Sequence, residues 1–195
     1  MGALNEIVSY LVQTLLSLYL FVIMLRFLMQ LARADFYNPI SQFVVKVTNP
    51  VIVPLRKLIP GYAGIDLSSL LFALLLQMLL VFLLVLLGGG GFVNPVSLLM
   101  ASVIGIVALI LNFYFFAIIA MIIFSFVAQG SNHPAILLVY QITEPVLAPF
   151  RKLMPALGGL DFSPILVFVM IRVFEILLAH SANAIGVGSL VLWLF

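Results

Sequence analysis

TNPVIVPLRKLIPGYAGIDLS, residues 48–68, returns 95 residues later as TEPVLAPFRKLMPALGGLDFS, residues 143–163. The two copies share Thr48/Thr143, Pro50/Pro145, Pro54/Pro149, Arg56/Arg151, Lys57/Lys152, Pro60/Pro155, Gly64/Gly159, Asp66/Asp161 and Ser68/Ser163. The gap-free correspondence runs from Pro39/Pro134 to Gln77/Arg172 and extends weakly upstream, where Tyr19 and Phe21 meet Tyr114 and Phe116. Chance does not give such a register, so the chain is read as a duplicated unit. Its first repeat is 1–91 and its second 92–195.

Hydrophobic residues make up 66% of the 195 residues and charged residues 7%, against about 45–50% and about 25% in soluble domains. A soluble domain cannot bury that much apolar surface. Long apolar runs flank each copy of the motif, and they predict spans at about 7–31, 66–87, 96–128 and 161–182. The second is close to the ~30 Å hydrocarbon thickness as a helix; the third exceeds it. Gly88 to Gly91 break the chain between the second and third. The expected fold is all-α and integral to the membrane. It comprises four transmembrane helices as two tandem parallel repeats, each helix, Pro-rich amphipathic interfacial segment, helix. The interfacial segments are expected at 38–62 and 132–157. The tail at 184–195 is too short to span and is expected at the interface, with Trp193 near headgroups.

Basic residues fix orientation. Arg33, Lys46, Arg56 and Lys57 lie between the first and second spans, with Arg26 at the edge, and Arg151 and Lys152 lie between the third and fourth. Both basic connections are therefore expected in the cytoplasm and both termini outside. The N-terminus lacks the basic region of a cleavable signal, so the first apolar segment is expected to be retained. A net charge of +2 is too small for nucleic-acid binding through phosphate contacts. The absence of cysteine excludes disulfides, thiol catalysis and Cys-ligated metals. His133 and His180 are the only histidines; zinc wants four ligands with no cysteine to supply them, and haem needs well-placed axial ligands, so no metal or cofactor is expected.

Asn38-Pro39 reads as a helix start. Ile40, Phe43, Val44 and Val47 fall on one stripe, giving an amphipathic helix for the interface plane. Pro50, Pro54 and Pro60 are expected to end it, with Asn49-Pro50 starting a second short helix. Arg56, Lys57, Arg151 and Lys152 are the candidate contacts to anionic headgroups. Asp66 and Asp161 stand where each following span begins. Caps explain them, with Arg56 and Arg151 as ion-pair partners. A catalytic carboxylate dyad would need both in one shared site.

Arg172 and Glu175 fall in the middle of the fourth span, where ionisable residues mark candidate functional sites. Their first-repeat counterparts are Gln77 and Leu80, so the pair breaks the repeat. Gln77 and Asn112 are the expected polar neighbours. Either the pair knits helices together, or it faces a wet cavity or another protein.

The twice-repeated motif resembles the YggT (YlmG-like) family of small bacterial and plastid membrane proteins, over nearly the whole chain. The resemblance implies a bacterial inner-membrane location and a link to osmotic tolerance and ion homeostasis. Other members are tied to cell division, nucleoid placement or assembly of membrane complexes. It supplies no catalytic residue, and no enzyme is expected. The expected role is a membrane-embedded scaffold or accessory subunit, partnered by lipid and by a second copy or another membrane protein. The alternatives are an oligomeric, potassium-linked ion or osmolyte pathway and an assembly factor in cell division.

Overall fold

The computed structural model describes residues 2–62, 64–91, 93–128, 130–153 and 161–191. Helices α1 (Ala3–Leu31), α3 (Leu67–Leu87), α4 (Pro95–Val127) and α6 (Ser163–Ala184) are each long and apolar enough to cross a membrane. Between them lie α2 (Pro39–Leu58) and α5 (Pro134–Leu153), and α7 (Gly188–Val191) follows. The spans begin and end within a few residues of the expected positions.

Local chemistry sets the helix starts. Asn38 and Asn94 each accept the backbone N–H two residues on (2.9 Å in both), with proline at the first helical position. Asparagine satisfies an orphan donor there, and proline has no N–H to waste.

The prolines do not break the interfacial helices. α2 runs through Pro50 and Pro54, and α5 through Pro145 and Pro149. This corrects the expected division at Pro50. In each helix the two prolines lie four apart, and all four are exposed. A proline leaves the carbonyl four residues earlier unpaired. Here that carbonyl lies on the same outward edge, where water or headgroups reach it. The inner edge is held by Thr48 and Thr143, which donate to the carbonyls of Val44 (2.7 Å) and Val139 (2.8 Å). Pro155 lies outside the described residues.

The phase of α2 also differs from a core-facing stripe. Ser41, Val44, Thr48 and Ile52 are buried, whereas Phe43 and Val47 are exposed. Much of the apolar stripe faces outward, as suits a helix lying in an interface.

α3 packs mainly on α1, and α4 joins the halves by touching α3, α5 and α6. One apolar core, including Ile23, Phe27, Leu76, Ile118, Ile142 and Val167, runs through both repeats. α5 is tied to the start of α2 and the loop before it: Asn38 Nδ2 donates to Pro134 O (2.7 Å), and Asp35 N to Gln141 Oε1 (3.0 Å). The tail turns at Gly186 and buries Val187 beside Ala101 and Ile104 of α4. That stretch packs on the bundle near the start of α4, and Trp193 falls outside the described residues.

Candidate functional site

Three helices meet at Asp66. α3 begins there, and its first N–H groups favour a carboxylate. Ser69 donates to Asp66 through both Oγ (2.7 Å) and backbone N (3.4 Å). Arg56, near the end of α2, donates to Oδ2, and Arg26 of α1 brings Nε to 3.6 Å. The Asp66 side chain is 0% exposed and that of Arg26 6%. Arg26 Nη1 also donates to Thr48 Oγ1 (2.6 Å) and Asn49 Oδ1 (2.9 Å). Burial pushes the Asp66 carboxyl up, but the bonds from Ser69 and Arg56 outweigh it and hold the group below the usual carboxylate range. This is a closed ionic network that joins α1, α2 and α3.

The second repeat builds the same corner differently. Arg151 Nε donates to Asp161 Oδ2 (2.8 Å), and its Nη1 donates to Glu144. Asp161 accepts from Ser163 N (2.9 Å) and Oγ (2.6 Å). It stands one residue before Phe162, which occupies the cap position of α6. Burial raises this carboxyl, and the bonds from Ser163 and Arg151 bring it below its usual value. Met121 and Glu144 replace Arg26 and Asn49. The Asp161 side chain is 38% exposed.

The intramembrane polar residues do not converge. Gln77 is buried in α3, and neither its amide nitrogen nor its oxygen has a hydrogen-bond partner. Asn112 Nδ2 donates to Ala108 O of its own helix (3.1 Å), beside an apolar groove between α1, α4 and α5. Arg172 and Glu175 pair with one another at 2.9 Å, but the Arg172 side chain is 71% exposed and that of Glu175 16%. The pair sits on the outer wall of α6. Lys57 and Lys152 are exposed near the ends of α2 and α5.

A family model described as CCB3/YggT matches the chain twice, over residues 5–87 and 100–182. The chain belongs to the CCB3/YggT family. The two matches start and end 95 residues apart, the offset of the sequence repeat. An uncharacterised protein of Pseudomonas aeruginosa is 52% identical over 187 residues, covering 94% of each chain. An uncharacterised Vibrio alginolyticus protein is 40% identical, covering 91% of this chain and 96% of its own. The uncharacterised YggT protein of Escherichia coli K12 is 37% identical, covering 91% and 92%. No solved structure matches the chain.

In this CCB3/YggT chain, sequence reasoning singled out Asp66, Asp161, Arg56 and Arg151, and the structure joins them in two pairs. It missed Arg26 as a buried partner. One signal was available: Arg26 is followed by Phe27, Leu28 and Met29, so it lies inside the first span's helix and not beyond it. Among the described residues no acidic or histidine cluster is arranged to hold a metal ion.

Proposed function

We propose that the chain is a non-catalytic, membrane-embedded scaffold or accessory subunit that associates in the bilayer plane through the outer face of α6. Arg172 carries the reading. A central arginine in hydrocarbon costs about 2.5–3.5 kcal/mol on insertion scales. Charged residues in spans normally face a bundle interior or an aqueous cavity. Arg172 faces outward with Glu175 alone, among exposed Val169, Val173, Ile176 and Leu177. A second membrane protein or another copy would cover it. Both basic connections face the cytoplasm in this reading, in a bacterial inner membrane. The family resemblance supports a role in osmotic or ionic homeostasis.

An oligomeric permeation pathway is the second reading. The outward Arg172 side chain favours it, because a ring of copies would turn such charges toward a shared axis. Native extraction with surrounding lipid, followed by mass measurement, tests the proposal. A defined homo-oligomer or a stoichiometric membrane partner supports association, and Arg172→Leu then releases a correctly inserted monomer. A monomer from the unaltered chain overturns it. A closed oligomer that conducts ions in liposomes selects the pathway.

A further inference from the structure

A cavity of about 610 Å³ lies between the cytoplasmic-side end of α1 and the inner edge of α2. Its polar lining is Arg26, Gln30, Arg33, Ser41, Asn49 and Arg56. Three guanidinium groups therefore meet around one space, and the carboxylate against them is Asp66, shared by Arg26 and Arg56. Two positive charges are left over. Asp35, close in sequence, is not in the lining, and its Oδ1 accepts the Tyr37 backbone N–H (2.9 Å).

Two further observations point to a ligand. Ser41 is 3% exposed and lines the cavity, yet its hydroxyl has no hydrogen-bond partner. A buried unpaired hydroxyl is unfavourable unless something occupies the space beside it. Arg33 is the second. α1 ends in a Schellman motif, with Arg33 N donating to Gln30 O (3.1 Å) and Ala34 N to Met29 O (2.9 Å). The motif needs a left-handed residue, and Arg33 has φ +53°. α3 and α6 end in the same pattern with Gly89 and Gly186 in that place. Glycine adopts this conformation freely, whereas other residues are strained by roughly 1–2 kcal/mol. Arg33 therefore occupies this turn at a cost in backbone strain, over the mouth of a basic cavity.

The second repeat builds the same corner with other residues. Met121, Ser125, Ala128, Ile136 and Glu144 replace Arg26, Gln30, Arg33, Ser41 and Asn49. All three cavity arginines but the motif's own are gone, and a carboxylate has arrived.

We infer that this cavity binds a phosphate-ester anion, held by Arg33 and Arg56 at the mouth and by Ser41 and Arg26 inside. Guanidinium groups match phosphate oxygens with paired charge-assisted bonds. The volume suits a glycerophosphate-sized group with water. The anion can reach it as a lipid headgroup or as a free phosphate ester.

The test uses the purified full chain in phosphatidylcholine nanodiscs, with and without phosphatidate, and separately with inorganic phosphate and glycerol 3-phosphate. Binding is read by native mass and by the shift in thermal unfolding. One saturable anion per chain is expected, weakened about tenfold by Arg33→Gln and by Ser41→Ala, the scale of one charge-assisted bond. Lys46→Gln removes the same charge from exposed α2 outside the cavity and should change binding less than about twofold. Arg33→Gly guards against misfolding: it relieves the turn and should unfold at a higher temperature while binding more weakly. Saturation by phosphatidate alone identifies a lipid site, and saturation by glycerol 3-phosphate identifies a soluble ester. Absence of saturable binding in every arm, or equal losses in Lys46→Gln and Arg33→Gln, overturns the assignment.

Discussion

Asp66 and Asp161 close the same motif, and each is followed at once by a membrane helix, yet they live in opposite electrostatic settings. Asp66 is sealed between Arg26 and Arg56, a cluster of net +1. Asp161 shares one arginine with Glu144 in a half-exposed cluster of net −1. The same contrast recurs deeper in the bilayer. Gln77 is buried in its span, whereas its counterpart Arg172 points outward. Duplication preserved the residues that shape the turn. What diverged is where each half sends its polar groups. The first repeat directs them inward and the second shows them to its surroundings.

The sharpest way to break this comparison is to neutralise both aspartates. Asp66→Asn leaves Arg26 buried without a countercharge, which typically costs about 3–5 kcal/mol. Asp161→Asn should cost no more than about 1 kcal/mol, because exposed pairs contribute little. Thermal unfolding in one detergent measures both, and equal losses would show that the two corners are energetically alike.

Converting one corner into the other comes next. Arg26→Met should destabilise by about 2–3 kcal/mol, since Thr48, Asn49 and Asp66 lose a buried charged donor. Adding Asn49→Glu gives Arg56 the second carboxylate that Arg151 has, so the double variant should recover part of the loss. A double variant weaker than Arg26→Met alone would mean that surrounding packing, not charge, distinguishes the repeats.

Gln77→Leu should stabilise the chain by about 1–2 kcal/mol, because it removes a buried amide without partners. Arg172→Leu should leave monomer stability nearly unchanged and act on assembly instead. Glu175→Ala should harm assembly more than the double Arg172→Leu/Glu175→Ala, which strands no charge. The smallest effect concerns pH. Both aspartate carboxyls lie below their usual value when folded. Their stabilisation is therefore present above about pH 4 and fades as pH falls through the folded values. Acid unfolding curves should flatten more in Asp66→Asn than in Asp161→Asn.

Most of the architecture was legible because a span announces itself by length and composition. The motif's Arg–Asp pairing was legible as well, since the same spacing occurs twice. The continuity of α2 was not, because whether a proline breaks a helix depends on whether its orphaned carbonyl faces outward. Arg26 escaped because Met121 occupies the matching position, so a search for repeated residues passes over it. The depth of Arg172 could be read, but not its direction. Large apolar residues lie all round α6 beside Arg172 and Glu175, so its sequence carries no apolar stripe that says which face turns inward. Arg33 was visible only as a basic loop residue, since a backbone dihedral leaves no mark on composition.

The two hydrogen bonds that join α5 to the start of α2 and the loop before it have a consequence for chain continuity. Asn38 to Pro134 and Asp35 to Gln141 tie the halves together at the basic ends of the bundle, while α3 and α4 also pack against one another. The glycine segment between α3 and α4 therefore only tethers halves that already hold one another. Cut there, residues 1–91 and 92–195 made as separate polypeptides should find each other in one membrane and copurify. The covalent link would then be dispensable for assembly, with the noncovalent seam sufficient to hold the halves in register.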